Sequence, residues 1–274
     1  MSAVEWLAPR SLEEALAQKA ERGDDATVLA GGTFIGVLVN QRLFDPVCLL
    51  SLRDIPGLDR IEVADGELRL GAMVSHRAVE RSEAVRGGWP ALAEAFSLVA
   101  SPRVRNRATV GGVLADADYA SDPPAMLCAL GARAVVRGQA GERELSLEEL
   151  ITGYYETSLR PDELLVGVRV PAGSKAVYRK FRSRSFEDRP CVSVAAALAG
   201  GELRVVVGAV AGTLQRFPEL CAPASAGAPG AEEAEEVGRR YAEAIAPISD
   251  VRGSSAYRKR VIAVEVRRAL EALG

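Results

Sequence analysis

Two glycine pairs, Ala30-Gly31-Gly32-Thr33 and Thr109-Val110-Gly111-Gly112, each follow or open an apolar stretch, with a threonine beside them. Glycine lets backbone approach a ligand closely and turn with positive φ. Successive amides freed at such a turn form a cradle for an anion, and Thr33 and Thr109 add hydroxyl donors. Two cradles converging on one diphosphate would account for two similar motifs so far apart in the chain. Either pair alone also reads as an ordinary turn, as Gly87-Gly88 and Gly200-Gly201 do. The chain has neither G-x-G-x-x-G after its first strand nor G-x-x-x-x-G-K-[ST], which argues against a standard dinucleotide fold and a Walker nucleotide site.

A second constellation is Ser121-Asp122-Pro123-Pro124. Proline suits the first helical turn, so Asp122 stands at a rigid turn into a helix. It reads either as the cap of that helix or as an acceptor for a sugar hydroxyl. Asp116 and Asp118 lie close by, but their spacing does not fit a calcium loop. The basic runs at 103–107 and 179–184 suit either a solvated face or one turned to phosphate or an acidic partner. Cys48, Cys128, Cys191 and Cys221 form no close pair, so no iron–sulfur or zinc ligation is expected from this chain; buried free thiols are expected instead. His76 is the single histidine, which leaves no catalytic triad in view and reads as a structural or surface residue.

The elements that must hold these residues follow from periodicity. Residues 11–22 predict a helix capped by Ser11, with Glu14 completing a capping box. Residues 27–30 and 46–50 predict short strands, and 61–73 a hairpin turning at Asp65-Gly66. Helices are expected over 75–83 and 90–99, a strand over 132–137, a short helix over 147–152, and a strand over 164–170 closed by Pro171. Beyond Lys175 the texture changes. Residues 178–181, 191–198 and 203–210 predict a small antiparallel sheet, with Gly200-Gly201 as a turn. A low-complexity loop over 221–230 precedes helices over 231–244 and 256–273. The chain of 274 residues is 48% hydrophobic with a net charge of −3. It has enough apolar material for a large core and no positive field for nucleic acid. No basic start with an apolar run opens the sequence, and no apolar stretch is long enough for a membrane span. The expected location is cytoplasmic.

In order, 30–33, 106–112, 120–125, 158–165 and 252–258 resemble the FAD-binding subunit of the xanthine dehydrogenase and carbon monoxide dehydrogenase family of molybdenum hydroxylases. Each motif is short, and the five in order span nearly the whole chain. The resemblance implies an α+β protein: a PCMH-type FAD-binding domain of two α/β subdomains over 1–173, and over 174–274 an α+β domain with a small antiparallel sheet. It implies that Ala30, Gly31, Gly32, Thr33, Phe34, Thr109, Gly111 and Gly112 hold the FAD pyrophosphate through backbone N–H groups, and that Asp122 contacts the FAD sugar region. It further implies two partners, a small subunit with [2Fe-2S] clusters and a large subunit with molybdopterin. Electrons would run from molybdenum through the clusters to FAD and on to an external acceptor. No catalytic residue and no metal ligand are assigned to this chain.

Three positions depart from the family pattern. Val113 stands where asparagine is usual after the second Gly-Gly, Phe34 replaces a polar residue, and Arg189 or Pro190 occupies a region that relatives often fill with an aromatic or aliphatic residue against the flavin. Two further readings compete with electron transfer. One is a stand-alone PCMH-type flavin oxidoreductase, and the other a flavin-deficient nucleotide-binding assembly protein.

Overall fold

The computed structural model describes residues 4–185, 187–221 and 229–274, so the low-complexity stretch at 222–228 lies outside the described residues. The first layer is a parallel sheet in the order β1-β3-β2, from β1 (Glu5–Leu7), β2 (Ala26–Leu29) and β3 (Cys48–Ser51). The helix Leu12–Arg22 connects β1 to β2 and buries Ala15, Leu16 and Lys19. Lys19 is held inside by donating to the carbonyls of Gly23 and Ala26. Ser11 caps the helix by accepting from the Glu14 amide. The reciprocal half of the expected box is replaced, because the Glu14 carboxylate accepts from the Arg10 amide instead.

The second layer is an antiparallel sheet in the order β4-β5-β10-β6-β7, with β4 (Ile61–Ala64), β5 (Glu67–Gly71), β6 (Arg133–Gly138), β7 (Gly141–Ser146) and β10 (Leu164–Pro171). The Asp65-Gly66 turn carries positive φ at both residues, which matches the hairpin chemistry. β7 escapes prediction because it is an edge strand of sequence GERELS with one buried residue, and charges of this kind keep an edge from pairing further. β1 is missed because three residues carry no period. The helix expected over 75–83 is two helices, His76–Arg81 and Glu83–Gly88, because Ser82 ends the first and caps the second. A short hairpin of β8 (Ile151–Gly153) and β9 (Glu156–Thr157) projects Tyr154 and Tyr155 from its tip.

The third layer is the antiparallel sheet β11-β12-β13-β14, from β11 (Lys175–Phe181), β12 (Val192–Ala199), β13 (Glu202–Gly208) and β14 (Gln215–Arg216). β12 reads VSVAAALA because it is covered on both faces. Val192, Val194 and Ala196 join the core under the helices Ala231–Ala244 and Ser255–Glu271. Ala195 and Ala197 join the core shared with the first part of the chain. That shared core includes the helix Pro123–Ala129, whose seven residues are all buried. The whole is α+β. All four cysteines are buried and free, and no helix among the described residues is long and apolar enough to cross a membrane.

Candidate functional site: one cavity walled by three distant segments

The turn after β2, the stretch 109–122 and the end of β11 meet around one cavity of about 620 Å³, within the size range of small-molecule and cofactor sites. Ala30, Gly31, Gly32, Thr33, Phe34, Thr109, Gly111, Gly112 and Asp122 all line it.

The first glycine pair is built as a cradle. Gly32 turns left-handed at φ +71°, a conformation that favours glycine and swings neighbouring amides toward one side. Among the described residues, no backbone N–H from Ala30 through Phe34 has a hydrogen-bond acceptor. Five consecutive half-buried amides on a cavity wall, without an acceptor among the described residues, are left available to a ligand. They fit a diphosphate, which supplies several acceptor oxygens and the negative charge.

The second pair lines the same cavity but its amides are bonded within the chain. The Gly111 amide donates to the Ala72 carbonyl at 2.8 Å, and the Gly112 amide donates to Thr109 Oγ1 at 3.1 Å. Thr109 is the cap of the helix Val110–Ala115. A side chain at Gly111 would meet the Ala72 Cβ at 2.6 Å, so this glycine lets that helix close onto the end of β5. Gly31 likewise has no room for a side chain, because one would overlap the backbone carbonyl of Arg107. The two motifs are thus packed backbone to backbone.

Asp122 is buried, and both carboxylate oxygens are engaged. Tyr178 donates its hydroxyl to one at 2.7 Å, and the Lys180 ammonium donates to the other at 2.8 Å. Lys180 also donates to the Leu98 carbonyl at 2.8 Å. Asp122 occupies the cap position of the helix Pro123–Ala129 but its side chain makes no capping bond. Burial pushes its carboxyl above the usual range, against the opposing pull of Lys180. Burial, then the Asp122 charge, pushes the Tyr178 hydroxyl well up. An acceptor role toward a sugar hydroxyl would use the lone pairs these two donors leave over.

Other wall residues carry charge. Arg189 pairs with buried Asp118 at 2.7 Å. Asp116, beside it, is pushed up to about 7 by burial and then by the Asp118 charge. His76 is buried, packs edge-on to Phe96 at 4.9 Å, and donates from Nε2 to the Thr109 carbonyl at 3.1 Å. Burial lowers it to about 4, so the ring is neutral with Nδ1 as an acceptor that has no partner among the described residues. Val113, at the usual asparagine position, also lines the cavity, and Phe34 stacks on Tyr155 at 5.6 Å with the rings 6° apart.

The basic runs are split between surface and interior, with Arg103, Arg107 and Arg184 exposed. Arg105 is buried on Glu80 and the carbonyls of Val99 and Ala100. Arg179 pairs with Glu265 at 2.7 Å, and Lys180 is the partner of Asp122. Lys180, which lines the cavity, and Tyr155, which does not but stacks on the lining residue Phe34, were not singled out by the sequence reading. Tyr178 and Lys180 stand two apart on one strand, hence on one face, and that spacing was the available signal for Lys180. Tyr155 sits at a hairpin tip with φ +56°, and nothing local in the sequence marks it.

Two protein-family models match the chain: the FAD binding domain in molybdopterin dehydrogenase over residues 2–173, and the CO dehydrogenase flavoprotein C-terminal domain over residues 176–273. The chain is 31% identical over 280 residues to the nicotine 6-hydroxylase medium subunit of Paenarthrobacter nicotinovorans, covering 100% of this chain and 98% of the other. Quinoline 2-oxidoreductase from Pseudomonas putida 86 superimposes with a TM-score of 0.92 at 30% identity, over 99% of this chain and 96% of that one. Carbon monoxide dehydrogenase from Hydrogenophaga pseudoflava, in a form lacking the Mo-pyranopterin moiety, superimposes with a TM-score of 0.93 at 32% identity, over 98% and 96%.

Proposed function

The chain belongs to the family of FAD-binding subunits of molybdopterin dehydrogenases, and from that membership we propose that it works as the electron-transfer subunit of a heteromeric complex. It is a medium, FAD-binding subunit of a molybdenum hydroxylase-type oxidoreductase. On the proposed reading it takes electrons from [2Fe-2S] clusters on a small partner, passes them to an external acceptor, and leaves substrate oxidation to a large molybdopterin subunit. The complex would act in the cytoplasm. We take residues 1–173 as the FAD-binding domain and 174–274 as the C-terminal domain.

The observation that carries the cofactor part is the run of five unpartnered amides at 30–34 on the wall of the large cavity. These amides, with the Thr33 hydroxyl, are assigned to the FAD pyrophosphate. Thr109, Gly111 and Gly112, on the facing wall, are likewise assigned to the pyrophosphate, with the Gly111 and Gly112 amides also holding that wall through their bonds to Ala72 and Thr109. Asp122, fixed by Tyr178 and Lys180, presents its remaining acceptor capacity to the sugar region. When bound, FAD supplies a centre that exchanges electrons with both one- and two-electron partners, while the protein sets its position and surroundings. Among the described residues no group of three or more His, Cys, Asp and Glu side chains is arranged to hold a metal ion.

Purified chain and reconstituted complex, assayed with the same substrate and a dye acceptor, test this reading. The complex should turn over, and the isolated chain should not, while releasing FAD on denaturation. Turnover by the chain alone at the rate of the complex would show a stand-alone flavin oxidoreductase, and a colourless chain would show a flavin-free assembly role.

A further inference from the structure

The helix Ile35–Asn40, of sequence IGVLVN, buries none of its six residues. That is unusual for a helix this apolar, since such a face normally packs on a core. Its intrinsic stability is low: it is short, and Gly36, Val37 and Val39 are poor helix formers. Its ends are anchored. Phe34 stacks on Tyr155 at 5.6 Å, and Val47 accepts the Glu5 amide at 3.0 Å at the start of β3. Between these anchors the segment sorts into two faces. Ile35, Val37, Leu38 and Phe44 line the large cavity, Val37 and Phe44 while still 48% and 36% exposed, whereas Val39 and Leu43 do not line it and are 37% and 70% exposed.

We propose that residues 35–44 form a flap whose packing partner is FAD itself, so that Leu38 and Phe44 are cofactor-binding residues and the bound cofactor orders the segment. This rests on the assignment of the cavity to FAD. A short apolar helix against an apolar-walled cavity gains little from the protein alone. It gains contact surface once a large planar cofactor fills the space it borders, because each buried apolar side chain then leaves water. The outward face with Val39 and Leu43 gains nothing from that event and serves as an internal control.

Hydrogen exchange on the full chain, stripped of FAD and then reloaded, tests the flap directly. Amides of 36–43 should exchange markedly more slowly after FAD is added, while those of the helix Pro123–Ala129 change little. In parallel, FAD affinity is read by flavin fluorescence for Leu38→Ser, Phe44→Ser and Val39→Ser. None of these residues is in the protein core, so folding is retained. The first two variants should weaken FAD by about tenfold or more, and Val39→Ser should match the parent. FAD that binds without protecting 36–43, or that binds Leu38→Ser and Phe44→Ser as tightly as the parent, overturns the flap and leaves the FAD assignment standing. Failure of the parent chain to bind FAD overturns both.

Discussion

Gly31 lies directly against the backbone carbonyl of Arg107, with no space between them for a β-carbon. The phosphate-cradle turn and the segment leading into the second glycine pair are therefore one packed unit. Gly31→Ala should push these backbones apart, lower stability by roughly 1–3 kcal/mol and strip most of the flavin. Gly32→Ala has space, with the Leu29 side chain at 3.4 Å, but keeps φ +71°. It should cost about 1–2 kcal/mol of backbone strain and spoil the cradle locally. Thermal melts of the flavin-free chain beside flavin content after purification separate the two.

Gly111→Val should act through packing. The side chain would drive into Ala72, so the helix Val110–Ala115 must lift off β5. The variant should melt lower even without FAD. A flavin-free melting curve equal to the parent's, with flavin binding lost, would instead place the Gly111 side-chain position on the ligand.

Asp122 and Lys180 form a buried ion pair, with side chains 4% and 2% exposed. Removing one member leaves an uncompensated buried charge, so Lys180→Met should cost on the order of 3–5 kcal/mol. Asp122→Asn alone should also be costly. The double variant should be more stable than the sum of the singles predicts. Denaturant unfolding of the four proteins measures this.

Asp116 and His76 line the same cavity and have opposite pH signatures. The Asp116 carboxyl is raised from 3.8 to about 7, so the folded state holds an extra proton in that window and stability falls as pH rises through it. The His76 ring is lowered from 6.5 to about 4. There the unfolded state holds the extra proton, and stability rises with pH. The two slopes oppose each other between about 4 and 6.5. Relative to the parent, flavin-free Asp116→Asn should gain stability as pH rises across this interval, and His76→Gln should lose it. Chemical denaturation at stepped pH reads both, and parallel curves for parent and variants would show that neither group titrates in this way.

How far the sequence leads is set by the range of the interactions involved. Ser11, the Asp65-Gly66 turn and the long C-terminal helices are legible because their causes lie within a few residues. The glycine pairs are legible as backbone devices, but their difference is not. That Gly111 donates to Ala72, while the amides of 30–34 have no partner among the described residues, depends on what packs nearby in space. Lys180 reads as one of a basic run until β11 is placed beside Asp122, and β7 hides because an exposed edge strand has no apolar alternation to show.

The central strand of the five-stranded sheet, β10, is the last of its five to be synthesised, and β5 pairs with it across roughly a hundred residues of chain. The cavity has the same long reach, with walls at 30–35, at 109–122 and at 180–189. Pairings this distant form late. The third wall does not exist until residues through Arg189 have been made. On the proposed reading, FAD therefore meets a chain whose second domain has already begun to form, not the first glycine turn by itself.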